Sequence, residues 1–224
     1  LTRIQYAIRD KVVAPLEDAN ISWEQFGTYL MRRRAAGERR DMANPGLVRG
    51  KDAQAVLDVM KSDIGDEAYA ALEGAAKAFT DIRKKQIMPM LRASRLFTEE
   101  LMDQIEDNDD YATFRVVDFF GEENNGWKSG SVILIKAQHG AAKDIMNPFF
   151  ETINKDIQLL WAAQMNKSKR IMVDQMQQFD AENIRPAETR WNGKTHVPVP
   201  PGKEGWGLVT YAEDGKVKGV YVRS

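Results

Sequence analysis

The sequence predicts a mainly α-helical chain: a helical bundle with long helices and a small C-terminal β-hairpin. Three observations carry this. Apolar residues recur at helical spacing through most of residues 1–180. Proline-bearing breakers such as Asn44-Pro45-Gly46 and Asn147-Pro148 separate the runs. Near the end, two runs rich in β-forming residues flank Asp214-Gly215, the pattern of a tight hairpin.

Taken in order, Leu1, Ile4, Ile8 and Val12 give a first amphipathic helix ending near Pro15. Ser22 with Gln25 three positions later has the form of a capping box. From there Trp23, Phe26, Tyr29 and Leu30 form an apolar face, and arginines crowd the C-terminal end, where cations suit the helix dipole. Lys51 to Ser62 forms a short helix on Ala53, Val56, Leu57 and Met60. Asp66 to about Met88 forms a longer one on Tyr69, Leu72, Ala76, Phe79 and Ile82, which Pro89 ends or kinks. Thr98 caps a helix running through Ile105.

The pattern then changes. Asp107-Asn108-Asp109-Asp110 reads as a turn, Tyr111 to Phe120 as extended, Gly121 to Gly130 as a loop and Ser131 to Ile135 as a short strand. Pro148 sits in the first turn of a second long helix, with Phe149, Ile153, Ile157, Leu160, Trp161, Met165, Ile171 and Met172 as its apolar face. The expected organisation is a bundle over 1–180, with an irregular or β insertion near 111–137. A proline-rich linker and hairpin over 181–224 dock on it, pinned by Trp191 and Trp206. The chain starts in helix without an initiator Met and stops just after Val220-Tyr221-Val222, which reads as a fragment of a larger protein.

At 224 residues and 43% hydrophobic, the chain can bury a sizeable core. A net charge of -1 gives no global attraction to nucleic acid or an anionic membrane. Cysteine is absent, so thiolate and disulfide chemistry are too, which fits a reducing compartment. No stretch approaches the roughly 18 apolar residues of a membrane span.

The one pronounced charge feature is Arg32, Arg33, Arg34, Arg39 and Arg40, five arginines within nine positions. They form a candidate contact for a polyanion or a protein partner. Glu38 and Asp41 dilute the patch and no aromatic residues interleave with it, so a solvated helix end with local ion pairs is the plainer reading. The acidic turn at Asp107 fails as a calcium loop: Tyr111, Ala112 and Asp118 stand where a ligand, a glycine and a glutamate are required. His139 and His196 are far apart, and no zinc, phosphate-loop or serine-nucleophile motif is present. No catalytic, cofactor or metal residues are assigned. The methionines, Met88, Met90, Met165, Met172 and Met176, read first as core filler and second as an adaptable surface for a partner helix.

Several short motifs resemble, in order, the helical segments of the large multi-domain polyvalent proteins of bacteriophages and mobile elements. They are Tyr29 to Arg34 running into Asn44-Pro45-Gly46, then Asp110-Tyr111-Ala112-Thr113-Phe114-Arg115, Gly130-Ser131 and Asn147-Pro148. The last is the terminal segment from Val197-Pro198-Val199-Pro200 through Tyr211 to Lys216. Leu47-Val48-Arg49-Gly50 replaces the family's glycine-rich stretch. The resemblance implies a non-catalytic structural or interaction module, sometimes virion-packaged or ejected with the DNA. Its partners would be other domains of the parent protein or other phage proteins. Its place would be the host cytoplasm or the virion interior.

The expected function is therefore a non-enzymatic scaffold or interaction module. The alternative is a nucleic-acid-binding module in which Arg32 to Arg40, with Lys167, Lys169 and Arg170, track phosphates. A third reading, a carboxylate-dependent hydrolase, would place its site near Asp109 to Glu123.

Overall fold

The computed structural model describes residues 2–37, 50–106, 147–193 and 195–223. The chain is predominantly helical, with a small antiparallel strand set at its C-terminal end. The expected turn, strands and loop between Asp107 and Ile135, and with them the 111–137 insertion, lie outside the described residues.

The helices are α1 (Thr2–Ile8), α2 (Ala14–Asp18), α3 (Trp23–Ala36), α4 (Gly50–Ile64), α5 (Asp66–Ile82), α6 (Met88–Ala93), α7 (Glu99–Glu106) and α8 (Pro148–Phe179). The strands are β1 (Ile184–Pro186), β2 (Thr189–Trp191), β3 (His196–Pro198), β4 (Trp206–Glu213) and β5 (Lys216–Arg223). The described residues fall into two compact units. The first holds those of 2–87 and 147–156, and the second those of 88–106 and 157–223.

In the first unit α5 is the hub, packing against α1, α2, α3 and α4. Its face is the one the sequence marks: Tyr69, Leu72, Ala76, Phe79 and Ile82 are all buried. The Ser22 capping box is present in full. Gln25 N–H donates to Ser22 Oγ at 3.2 Å, and Ser22 N–H donates to the Gln25 side chain at 2.8 Å. Phe149, 1% exposed, fills the centre of this unit. It stacks on Trp23 at 5.6 Å between ring centroids and meets Phe26 and Phe79 edge-on at 5.2 and 5.1 Å.

Pro15, read as a helix end, and Pro89, read as an end or a kink, both lie within runs of helical residues. Helical residues continue past Pro15 to Asp18 and past Pro89 to Ala93. Each proline follows a five-residue π-helical turn, Arg9–Val13 and Arg83–Ile87, by two positions. A proline ring clashes with the carbonyl four residues back and has no N–H to donate. Those carbonyls belong to Lys11 and Lys85, inside the π turns, where the wider i→i+5 spacing moves them clear of the ring.

In the second unit β4 and β5 pair antiparallel from Trp206↔Arg223 to Glu213↔Lys216, and β1 adds to the other edge of β5. Asp214 and Gly215 form the turn with φ of 51° and 73°, both positive as a tight two-residue loop requires. The segment read as a proline-rich linker holds three short strands, β1, β2 and β3. Pro186 ends β1, and Pro198 ends β3, which pairs with β2 in a separate ribbon. The sheet packs on α8 through Val173, Ile184 and Val220, with Met176, Val209, Tyr211 and Val222 around them.

Among the described residues, Trp191 and Trp206, expected to pin the sheet, are not in the cluster through which it packs on α8. Trp191 is exposed on β2 beside His196, and Trp206 carries the Arg185 guanidinium at 4.4 Å. Tyr221 joins ribbon to sheet, donating to the Val199 carbonyl at 3.0 Å and accepting from the Glu188 N–H at 3.2 Å.

The apolar face expected for α8 is corrected in part. Phe149 and Leu160 are buried, but Ile157, Trp161, Met165, Ile171 and Met172 are exposed. The inward side carries Leu159, Ala162, Ala163, Asn166 and Val173 instead. Small and polar residues at close packing positions carry little hydropathy signal, so periodicity found the bulkier outward row.

Gly27 on α3 gives a sharp test of the first unit. A Cβ there would lie 2.7 Å from Asn147 Oδ1. That oxygen accepts from Phe149 N–H at 3.0 Å at the start of α8, and Asn147 Nδ2 donates to the Trp23 carbonyl. Alanine is the better helix former by about 1 kcal/mol. Gly27→Ala is nevertheless expected to destabilise the protein by about 1–3 kcal/mol in urea denaturation, through overpacking. A stabilised variant would contradict this packing.

Candidate functional site

Arg32, Arg33 and Arg34 lie in the last turns of α3, while Arg39 and Arg40 lie outside the described residues. The three described arginines are half-buried rather than a free basic edge. Arg33 hydrogen-bonds the Tyr29 hydroxyl one turn back. Burial pushes that hydroxyl up to about 12, against the pull of Arg33. Tyr29 also meets Tyr69 edge-on at 5.8 Å. The Nε of Arg32 is buried and meets no acceptor among the described residues. Arg32 and Arg33 thus lie partly within the packing of the first unit. Lys167, Lys169 and Arg170, grouped with it in the nucleic-acid reading, belong to the second unit. There Arg170 donates to the Ser94 carbonyl at 3.2 Å.

The buried polar groups lie elsewhere. In the first unit, Arg83 in its π turn meets Asp156 of α8 in a two-pronged ion pair. Nε donates to Oδ2 at 2.8 Å and Nη2 to Oδ1 at 3.1 Å. The Asp156 side chain is 4% exposed. Burial pushes its carboxyl above the usual range, and Arg83 opposes that push. Thr152 donates to the Pro148 carbonyl at 2.7 Å, and Lys155 faces Glu151 at 4.0 Å.

In the second unit the arrangement centres on Asn166 of α8, which sequence inspection missed. Its Oδ1 accepts from Ala212 N–H at 2.7 Å, and its Nδ2 donates to the Ala212 carbonyl at 2.9 Å. The same nitrogen donates to the Ser94 carbonyl at 2.9 Å. Ala212 lies on β4, an outer strand of its sheet. The amide therefore occupies an exposed sheet edge as another strand would. Ser94 is held in turn, its Oγ donating to the Leu91 carbonyl at 2.6 Å and accepting from Leu96 N–H at 3.2 Å.

The segment after Ser94 is fixed from its other side. Arg95, at a positive φ of 54°, donates from Nε to Asp214 at 2.6 Å and pairs with Glu213 at 2.8 Å. The bonded guanidinium holds the Asp214 carboxyl below its usual range, and Lys218 does the same for Glu213. Thr98 caps α7 as expected, accepting from Leu101 N–H at 3.3 Å. It lies so close to the β-turn that a Cβ on Gly215 would come within 2.5 Å of its methyl group. Beyond the cap, Arg92 gathers Glu99, Asp103 and Glu106.

These hydrogen bonds and ion pairs join elements within each unit. Among the described residues no three His, Asp or Glu side chains converge as a metal-ligand set. None of their helices is long and apolar enough to cross a membrane. His196 is exposed on β3, while His139, the Asp107 turn and Glu122 lie outside the described residues.

The clasp yields a discriminating pair of variants. Asn166→Ala removes all three bonds and should destabilise the protein by about 2–4 kcal/mol. Asn166→Asp keeps the size but sets a carboxylate against two carbonyls, and is expected to be at least as damaging at neutral pH. Urea midpoints measure both, and a wild-type midpoint for Asn166→Asp would contradict the geometry. Compared with known proteins, the chain matches no protein-family model, no curated protein and no solved structure.

Proposed function

We propose that this chain is a non-catalytic structural or interaction module of a large phage-type multi-domain protein, carried in the particle or ejected from it. One observation supports the reading above the others. The buried polar side chains among the described residues are Ser94, Thr152, Lys155, Asp156 and Asn166, and each faces a structural partner. Catalytic groups more often sit in clefts with ionisation tuned for reaction. Here the buried groups close helix turns, pair charges or seal a sheet edge. The motif order shared with polyvalent phage proteins supplies the setting, and the long helical surface supplies the means of assembly.

The test is mass spectrometry of purified particles of the source phage, or of phage induced from the source host. Peptides covering Phe149 to Lys155 are expected at a stoichiometry comparable to other particle proteins. Their absence from particles, with presence in induced cells, would overturn the particle-borne reading.

A further inference from the structure

An asparagine loses its side-chain amide without any enzyme when the main-chain nitrogen of the next residue attacks its Cγ. The attack needs a following N–H that is not engaged elsewhere and a following Cα that bears nothing to crowd the approach. Most of the described asparagines fail this requirement. Asn147 precedes Pro148, which has no N–H. Asn154 and Asn166 lie inside α8, where the next N–H bonds along the helix. Asn20 precedes Ile21, whose N–H donates to the Leu16 carbonyl at 2.9 Å. Asn183 precedes the branched, buried Ile184, and its own Nδ2 donates to Asp180 at 2.8 Å.

Asn192 meets the requirement. It and Gly193 are exposed in the loop of residues 192–195 that joins β2 to β3. Gly193 brings no side chain to the approach. Its φ is 96°, and a Cβ added there would meet nothing within 4 Å. Among the described residues, none accepts a hydrogen bond from the Gly193 N–H. The electrophile is held as well. Asn192 N–H donates to the Thr195 carbonyl at 3.1 Å, and Asn192 Oδ1 accepts from Thr195 N–H at 2.9 Å. Negative charge develops on Oδ1 as nitrogen adds to Cγ, and a donor already aimed at that oxygen stabilises it.

We infer that Asn192 is a site of spontaneous modification, converted through a cyclic imide to aspartate and isoaspartate. Gly193 N forms a bond to Asn192 Cγ and gives up its proton. The bond from Cγ to Nδ2 breaks, and ammonia leaves. Water then adds to one of the two imide carbonyls and reopens the ring. Opening at the main-chain carbonyl leaves isoaspartate, in which the chain runs through the former side chain. Opening at Cγ restores the ordinary main chain and leaves aspartate. Isoaspartate lengthens the main chain by one atom inside the loop, so it disrupts the paired Asn192–Thr195 bonds that close the ribbon. The site is independent of the interaction-module reading.

The test follows the full chain at neutral pH and physiological temperature, folded and in urea, by Lys-C digestion and mass spectrometry. The peptide Arg170 to Lys194 carries Asn192, and its fragment ions separate conversion there from conversion at Asn183. The chain's other Asn-Gly pair, Asn125-Gly126, lies outside the described residues and falls in a different peptide, Gln86 to Lys128. Aspartate and isoaspartate are both expected at Asn192, forming in the folded chain at least as fast as in urea, while Asn183 keeps its amide. Gly193→Ala should slow conversion at least about tenfold, the effect of about 1.4 kcal/mol on the barrier. The same slowing is expected in urea, where a rearranged loop plays no part. Conversion slower in the folded chain than in urea, or absent from both, would overturn the site. Aspartate as the sole product, or a rate untouched by Gly193→Ala, would overturn the cyclic-imide route.

Discussion

The second unit depends on one amide. Asn166 is buried on a helix that also faces Leu159, Ala162, Ala163 and Val173 inward. Its three hydrogen bonds join α8 to β4 and to the segment after α6. An outer strand presents unpaired N–H and C=O groups, which are costly to bury and prone to pair elsewhere. A side-chain amide carries one acceptor and two donors in nearly the geometry of a peptide group, so it can close such an edge at Ala212. The Arg95 bonds to Asp214 and Glu213, the Thr98 cap and the close fit at Gly215 then fix the β-turn against the same segment.

The first unit solves an equivalent problem with charge. Arg83 lies in a π-helical turn whose widened spacing clears the ring of Pro89, and it reaches the buried Asp156 carboxylate with both prongs. Removing one partner of such a pair leaves a buried charge uncompensated, which is far costlier than the net worth of the pair. The pair therefore specifies which way α8 presents its first turns, alongside Phe149 in its aromatic cage and Asn147 against Gly27.

Elements defined by strong local rules were legible in the sequence. The Ser22–Gln25 capping box, the Thr98 cap, the start of α8 at Pro148, the α5 stripe and the Asp214-Gly215 turn all fall where residue type and spacing put them. Features set by tertiary context were not. Pro15 reads as a helix end, and Pro89 as an end or a kink, because nothing local announces a π turn. Five of the eight residues expected on the α8 face are exposed, because bulky side chains such as Trp161, Met165 and Met172 outweigh the alanines that approach the core. Asn166 had no signal at all: a lone asparagine inside a helix normally lowers its propensity, and only its tertiary partners explain it. Of the arginines, Arg33 was legible as charge, while its contact with the Tyr29 hydroxyl, an i,i+4 pair on α3, was overlooked.

The most direct measurement is amide hydrogen exchange along β4. Ala212 N–H points to the outer edge of the sheet, as its alternate neighbours Thr210 and Leu208 do, and the Asn166 bond sets it apart. The account predicts that Ala212 exchanges as slowly as the amides of β4 and β5 that pair with each other, and well below the rate at Thr210. An Ala212 amide exchanging as fast as Thr210 would show that the clasp does not hold the strand, and the account of this unit would fail with it.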